Sequence, residues 1–258
     1  MRYFLELQYD GGAYCGWQRQ TSAPSVQQTV EQALSMLLRS AVEITGAGRT
    51  DTGVNASYYV AHFDTPTPID DERQLVYKLN LVLPQDIAVS SVTRVRDDAH
   101  ARFDAVEREY TYFLRSGKSP FHRSRAWQYY VPVDIESMNR AAESLLRCDD
   151  FTSFAKLNSN NKTNICHVTH ALWQRDDAES MHFTIRADRF LRNMVRAIVG
   201  TLVDVGRGRY TPEDFEDILL SRDLSRSSAG APAQGLFLSD VCYPDDVFRC
   251  VQRKMPPF

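Results

Sequence analysis

The chain lacks any long run of apolar residues. No stretch approaches the roughly 18 consecutive apolar residues that a transmembrane helix needs. At the N-terminus, Met1-Arg2-Tyr3-Phe4-Leu5-Glu6 reaches an acidic residue too early for the apolar core of a signal peptide. We therefore expect a cytoplasmic protein that does not associate with membranes.

Cysteine is scarce, with five residues and no Cys-X-X-Cys pair. An odd number of scattered cysteines argues against a disulfide framework. The stretch Cys166-His167-Val168-Thr169-His170 offers possible metal ligands. In a strand, however, Cys166 and His170 would face one way and His167 the other. Because closed zinc sites normally use closely spaced pairs of ligands, we expect no metal here.

Lysine is also scarce, and the net charge of −3 does not suggest a nucleic-acid-binding protein. Of the 30 basic residues, 25 are arginine, whose planar guanidinium suits phosphates and base edges. Residues 186–209 contain six arginines and two acidic residues. This local basic excess indicates a possible contact with a polyanion, although arginine usage in the host genome is a simpler explanation for the overall bias.

The stretch Gly46-Ala47-Gly48-Arg49-Thr50-Asp51-Thr52-Gly53-Val54-Asn55-Ala56 is the most informative part of the chain. It places one carboxylate, Asp51, two residues after the guanidinium of Arg49, among three glycines. Apolar, strand-like segments flank it on both sides, so it predicts a loop between two strands, which is a common position for functional groups. The plainer alternative is a turn in which Asp51 only bonds to its own backbone.

Patterning in the first half predicts the order β-α-β-β-α-β. Strands are expected near 3–10, 42–46, 57–64 and 86–95, and helices near 26–38 and 70–82. Ser25-Val26-Gln27-Gln28 is typical of a capping box that opens the first helix. This order is the split β-α-β pattern of ferredoxin-like folds.

The second half repeats the same order more loosely. We predict strands near 108–115, 127–130, 165–174, 180–187 and 235–243, and helices near 134–147, 190–205 and from Thr211. Ser221–Gln234, rich in small residues, is predicted to be a flexible loop. The predicted fold class is α+β, with two ferredoxin-like halves at 1–105 and 106–258.

Several motifs, in the same order along the chain, resemble the tRNA pseudouridine synthase A family. The loop contains Gly48-Arg49-Thr50-Asp51-Thr52-Gly53-Val54, similar to the family's GRTDxGV motif. The other motifs are Tyr9-Asp10-Gly11 with Gly16-Trp17-Gln18-Arg19-Gln20, His100-Ala101-Arg102-Phe103 with Arg108-Glu109-Tyr110-Thr111-Tyr112, Phe151-Thr152-Ser153-Phe154, and Phe190-Leu191-Arg192-Asn193-Met194-Val195-Arg196. Thr52 and Asn55 differ from the Ala and His that are common in the family.

This resemblance implies an extended, mixed but mainly antiparallel sheet with a central active-site cleft. It also implies the isomerisation of uridine to pseudouridine at positions 38, 39 and 40 of the tRNA anticodon stem-loop. Asp51 would be the essential carboxylate, attacking C1′ or C6 or removing the C2′ proton. All three routes need an ionised carboxylate, which a nearby guanidinium favours.

Roles for the other site residues follow from the same resemblance. Arg49 would help to extrude the target nucleotide, and Arg196 would partner Asp51. Tyr110 would stack on the target base and transfer a proton at C5, while Phe190 and Met194 would wall the uracil pocket. Tyr112 would be a core residue, and a half-buried strand aromatic is the plainer interpretation of Tyr110 as well.

Spacings of three and four residues would place Arg189, Arg192 and Arg196 on one face of a helix, either against RNA or simply in solvent. The segment Tyr9–Gln20, with Trp17 and Arg19, is a candidate RNA contact or an ordered turn around a packed Trp.

The expected partners are tRNA and a second copy of the chain, in a homodimer, and no cofactor is required because the isomerisation adds and removes nothing. Two other functions are compatible with the residues alone. One is a non-catalytic RNA-binding module of ferredoxin-like fold. The other is a base-flipping hydrolase that would release free uracil.

Overall fold

The computed structural model describes residues 1–156 and 163–248. Cys250 and the end of the predicted second half lie outside the described residues. The chain divides into two compact units, one formed by Met1–Val106 with the segment that begins at Asp240, the other by Glu107–Ser239. The sequence-based division kept everything after residue 105 together, whereas here the final segment belongs with the first unit.

The first unit has the predicted β-α-β-β-α-β order. Its elements are β1 (Arg2–Tyr9), α1 (Val26–Leu38), β2 (Ile44–Gly46), β3 (Asn55–Asp64), α2 (Glu72–Val82) and β4 (Ile87–Arg94). The strands pair antiparallel in the order β4-β1-β3, and β2 pairs with β3. This is the strand arrangement expected of a split β-α-β fold.

Side-chain caps fix where the helices of this unit begin. The Ser25 hydroxyl accepts a hydrogen bond from the Gln28 amide at 3.3 Å, and Asp71 does the same for Gln74 at 2.8 Å. Each bond satisfies an amide that has no partner within its own helix. The buried face of α1, which includes Val26, Val30 and Leu34, is the predicted apolar stripe.

The second unit repeats the pattern with extra elements. Its elements are β5 (Glu107–Ser116), β6 (Trp127–Tyr129), α3 (Ile135–Ala142), β7 (Val168–Arg175), β8 (Ser180–Ala187), α4 (Met194–Gly206), α5 (Pro212–Leu220) and the first residues of β9 (Leu236–Cys242), the strand within which the division between the units falls. The strand order is β9-β5-β8-β7, and β6 pairs in parallel with the end of β5. The predicted fold class, α+β with mainly antiparallel strands, is confirmed.

Two helices of this unit differ in how well their bounds were predicted. At α5, the helix opens from Thr211 as predicted, and Thr211 and Asp214 form a reciprocal capping box with Pro212 in the first turn. The α-helix α3 ends at Ala142, earlier than predicted, and a 3-10 helix continues it over Glu143–Arg147. Tighter 3-10 turns are common at the ends of α-helices.

No helix in the described ranges is both long and apolar enough to cross a membrane.

Candidate active site

The loop that carries Asp51 runs from the end of β2 to the start of β3, as predicted. Asp51 is partly exposed, Arg49 is exposed, and Thr50 between them is buried. A turn closes the loop, with the Val54 amide donating to the Asp51 carbonyl at 3.1 Å. Gly53 has a φ of 76°, which side chains other than glycine rarely adopt. Backbone geometry therefore sets the position of Asp51.

A cluster of three aromatic residues holds this loop in place. Trp17 stacks on Tyr59 with ring centroids 4.0 Å apart, and Tyr9 packs against both rings. The Tyr59 hydroxyl donates to the Gly48 carbonyl at 2.5 Å, and the Tyr9 hydroxyl shares a 2.8 Å hydrogen bond with the Thr50 hydroxyl. Both loop residues lie within three positions of Asp51, so the aromatic cluster holds the segment that bears the carboxylate.

The segment after β1 is joined to the same loop by close backbone contacts. A Cβ at Gly11 would lie 2.1 Å from the Val54 carbonyl oxygen, and one at Gly16, whose φ is 86°, would lie 2.3 Å from the Thr50 carbonyl oxygen. The Gly11 amide donates to the side-chain oxygen of buried Asn55 at 2.8 Å. The departure from the family pattern at Asn55 thus has a structural role in this chain.

These contacts show how Trp17 of the segment Tyr9–Gln20 is packed. Trp17 is only 3% exposed, so it is the packed Trp of an ordered segment and does not present its ring to RNA. The Arg19 side chain binds Glu31 of α1. What the sequence did not reveal is that this segment supports the Asp51 loop, because contacts between distant segments leave no local pattern.

In the second unit, the structure brings Tyr110 and Phe190 together. Their rings are 5.1 Å apart and perpendicular, an edge-to-face arrangement that aromatic pairs favour. Both residues are partly exposed. Tyr112, on the same face of β5, is completely buried, and its hydroxyl donates to the Pro232 carbonyl at 2.8 Å. Tyr112 is therefore a core residue, as predicted, and Tyr110 is the accessible one.

The predicted helix of 190–205 begins later than expected. It starts at Met194, because Asn193 adopts a left-handed conformation with φ 66° and ψ −1° that a right-handed helix cannot continue through. Arg189 and Arg192 therefore precede the helix, and the prediction that they share a helical face with Arg196 is wrong. Arg192 is exposed, Arg189 is half-buried, and Met194 is fully buried.

Arg196, in the first turn of α4, is held by the loop that precedes β9. Its Nε donates to the Ala231 carbonyl at 2.6 Å, and the Ala231 amide donates to the Arg196 carbonyl at 2.9 Å. Further along α4, a Cβ at Gly200 would lie 2.2 Å from the Ala229 carbonyl oxygen. Because Gly200 has no Cβ, the backbone of Ser221–Gln234 packs closely on α4 at Ala229 and Ala231. Whether the rest of this segment is flexible stays a prediction.

Within the described residues, no group of three or more His, Cys, Asp or Glu side chains is placed to hold a metal ion. Cys166 is buried, and burial raises the pKa of its thiol to about 12. His167 is exposed and lies 3.3 Å from Asp149. The thiolate that a metal would need is therefore disfavoured at Cys166.

Comparison with known proteins gives the same assignment as the motifs. The family model described as tRNA pseudouridine synthase matches residues 141–244. The chain is 51% identical to tRNA pseudouridine synthase A of Bacteroides thetaiotaomicron, over 96% of this chain and 92% of that protein. The chain belongs to the tRNA pseudouridine synthase A family.

More distant relatives match over the same extent. The protein of the same name from Parabacteroides distasonis is 48% identical, covering 96% of this chain and 98% of the relative. The one from Thermoanaerobacter sp. strain X514 is 39% identical, covering 93% and 98%. The family resemblance inferred from the motifs is therefore confirmed over nearly the whole chain.

Proposed function

We propose that this chain isomerises uridine to pseudouridine at positions 38, 39 and 40 of the tRNA anticodon stem-loop. The observation that carries the proposal is the fixed Asp51 loop, with its partly exposed carboxylate, in a chain that belongs to this family. The loop has the rigidity that a positioned catalytic group needs.

The proposed reaction breaks the C1′–N1 bond and forms a C1′–C5 bond, and a proton leaves C5 as one is gained at N1. Nothing is added overall, so we expect no cofactor. Asp51 would supply the essential carboxylate, because carboxylates act as covalent nucleophiles or bases in enzymes. Attack at C1′, attack at C6 and removal of the C2′ proton all remain open.

We assign two arginines to the reaction alongside Asp51. Arg49 is exposed at the tip of the same loop, which suits a side chain that fills the space left by an extruded nucleotide. Extrusion costs a few kcal/mol of unstacking, and such filling offsets part of that cost. Arg196, partly exposed and oriented by Ala231, is the proposed partner of the Asp51 carboxylate.

The second unit would supply the binding of the base. Tyr110 is proposed to stack on the uracil and to transfer the proton at C5, and its edge-to-face contact with Phe190 fixes its ring. Phe190 and Met194 would form apolar walls, which keep bulk water away from the cleaved base. Arg189 and Arg192 would bind phosphates of the tRNA.

The family assignment also supports a homodimer acting on tRNA in the cytoplasm, and both remain part of the proposal. The alternative is a non-catalytic RNA-binding module. Such a module needs exposed aromatic residues on its sheet and no indispensable carboxylate.

The test uses tRNA labelled with tritium at C5 of uridine. Isomerisation at C5 releases tritium to water without releasing uracil. Release of free uracil would instead identify a hydrolase, and binding with neither product would identify an RNA-binding module. Sequencing of pseudouridine in the product then checks positions 38, 39 and 40.

A further inference from the structure

The segment between β5 and α3 has an unusual charge composition. From Ser116 to Val133 it contains no aspartate or glutamate, although the chain as a whole carries a net charge of −3. It contains the cations Lys118, Arg123 and Arg125, all exposed. In the part of the chain that the structure describes, none of these three forms an ion pair with a carboxylate, so their charges face solvent uncompensated.

Two aromatic residues are exposed on the same segment. Phe121 is 86% exposed and Tyr130 is 67% exposed, the former being the most exposed large apolar side chain among the described residues. The Gly117 amide donates to the Tyr129 carbonyl at 3.3 Å, which brings the two ends of the segment together. Lys118 and Tyr130 each directly follow one of these two bonded residues in the chain. We call Lys118, Phe121, Arg123, Arg125 and Tyr130 the basic aromatic surface.

The loop that bears this surface has a defined internal structure. The Ser119 side chain is buried and hydrogen-bonds to Nδ1 of His122 at 2.9 Å, and the Ser119 carbonyl accepts from the Gln128 side chain. The amides of Arg125 and Ala126 donate to the His122 carbonyl at 3.1 and 3.0 Å. These hydrogen bonds fix the backbone on either side of the exposed residues Phe121 and Arg123.

The acidic residue that is hydrogen-bonded to the start of the segment is already paired. Glu179, across from Ser116, forms a salt bridge with Arg115. The Glu179 carboxylate is therefore already neutralised by a cation outside the basic aromatic surface.

We propose that the basic aromatic surface is an RNA-binding surface that holds the tRNA substrate in addition to the residues that act on the uridine. Arg and Lys side chains would bind phosphates, and Phe121 would stack on an unpaired base or cover a ribose. Unpaired cations beside exposed aromatic rings are the combination that proteins use to bind nucleic-acid strands. A protein of negative net charge needs such a local concentration of cations to bind a polyanion.

This inference takes tRNA as the bound RNA from the proposed function, but its test measures binding and chemistry separately.

The Arg123→Gln/Arg125→Gln variant removes two exposed charges. The matched control is Arg147→Gln/Arg175→Gln, which removes two exposed arginines elsewhere in the same unit. Phe121→Ala is made in parallel to test the ring. Affinity for unmodified tRNA is measured by fluorescence anisotropy from about 50 to 200 mM salt, the range over which phosphate contacts dominate.

We expect the Arg123/Arg125 variant to bind tRNA at least roughly fivefold more weakly, with a salt slope reduced by about one unit per lost phosphate contact. Phe121→Ala should bind about fivefold or more weakly, with an unchanged salt slope, because stacking does not release counterions. The single-turnover rate at saturating tRNA should equal that of the parent protein for all three variants.

Equal affinity and equal salt slope in the Arg123/Arg125 variant and its control would overturn the proposal, and the surface would then serve another partner or only solvent. A lower saturating rate with unchanged affinity would also overturn it. If the parent protein binds tRNA but makes no pseudouridine, the proposed function fails, while the binding comparison still decides this inference.

Discussion

The Tyr59 hydroxyl lies 2.5 Å from the Gly48 carbonyl oxygen, three residues before Asp51, while its ring is stacked on Trp17. One side chain thus joins the aromatic cluster under the loop to the loop backbone itself. Since Tyr59 stands on β3, this bond ties the position of the loop to the sheet.

Tyr59→Phe should therefore lower the single-turnover rate of the reaction. The ring and its stacking remain, but the Gly48 carbonyl loses its donor and the loop gains freedom. Loss of one hydrogen bond of about 1 kcal/mol corresponds to a roughly threefold to tenfold lower single-turnover rate. Tyr3→Phe, which loses a bond to the Ile69 amide in the same unit, is the control. Equal rates in both variants would argue against a positioning role for Tyr59.

Gly46 and Gly48 should respond differently to alanine. A Cβ at Gly46 would lie 2.1 Å from the Tyr59 hydroxyl oxygen and 2.6 Å from the Trp17 ring nitrogen, whereas at Gly48 nothing lies within 4 Å. Because the stacked rings cannot move apart freely, Gly46→Ala should lower the free energy of unfolding by about 1–3 kcal/mol. Gly48→Ala should change it by less than about 0.5 kcal/mol. Urea denaturation of both variants tests this, and equal destabilisation would contradict it.

Many helices and strands could be predicted from local sequence patterns. The contacts that hold the Asp51 loop in place could not. The cap at Ser25 and the opening of a helix from Thr211 are short-range signals, and the structure contains both of them. The start of α4 was predicted wrongly because nothing in the local pattern requires the left-handed Asn193.

Contacts between distant segments were not predictable from sequence patterns. Gly16 lies against Thr50, and Gly200 against Ala229, only because the chain folds back on itself. The motif at Asp51 pointed to the candidate site residues, whereas the three rings that contact this loop became recognisable as its support only in three dimensions.

Asp51→Asn should abolish pseudouridine formation and largely preserve tRNA binding. The substitution keeps the size of the side chain and removes the charge that all three possible mechanisms require. We expect at least a roughly 10⁴-fold lower rate, as is common when an essential nucleophile is lost. Asp70→Asn, at an exposed carboxylate of the same unit, should have the parental rate. Substantial turnover by folded Asp51→Asn protein would refute the assignment of Asp51.

Tyr110→Phe should separate binding from chemistry. The ring and its 5.1 Å edge-to-face contact with Phe190 are retained, so stacking on the base and tRNA affinity should stay near the parental level. Loss of the hydroxyl should slow product formation by roughly 10²–10⁴-fold, the usual contribution of a general acid or base. Tyr129→Phe, in β6 of the same unit, is the control. A variant with weak binding and a parental saturating rate would show that the hydroxyl contacts RNA without transferring a proton.

His62 should make the first unit sensitive to acid. Its side chain is 6% exposed, and its Nδ1 accepts a hydrogen bond from the Ala101 amide at 3.1 Å. Burial, with smaller contributions from the nearby Arg2 and His100, lowers the pKa of His62 from 6.5 to about 4, against weaker opposing effects of Asp64 and Asp104. The fold therefore favours the neutral imidazole.

Between about pH 6.5 and about pH 4, the unfolded chain binds a proton at His62 that the folded protein does not. Lowering the pH through this window should remove up to about 3 kcal/mol of stability from this group, with no further loss below it. The His62→Gln variant, whose amide oxygen can still accept from the Ala101 amide, should lose less stability over the same pH range. The control, His167→Gln at an exposed histidine, should lose as much stability as the parent protein. The measurement is the free energy of unfolding in urea at pH 7 and at pH 4.5. Parallel losses in the parent and in His62→Gln would mean that acid acts through other groups, and that the buried His62 is not the proton acceptor that limits stability.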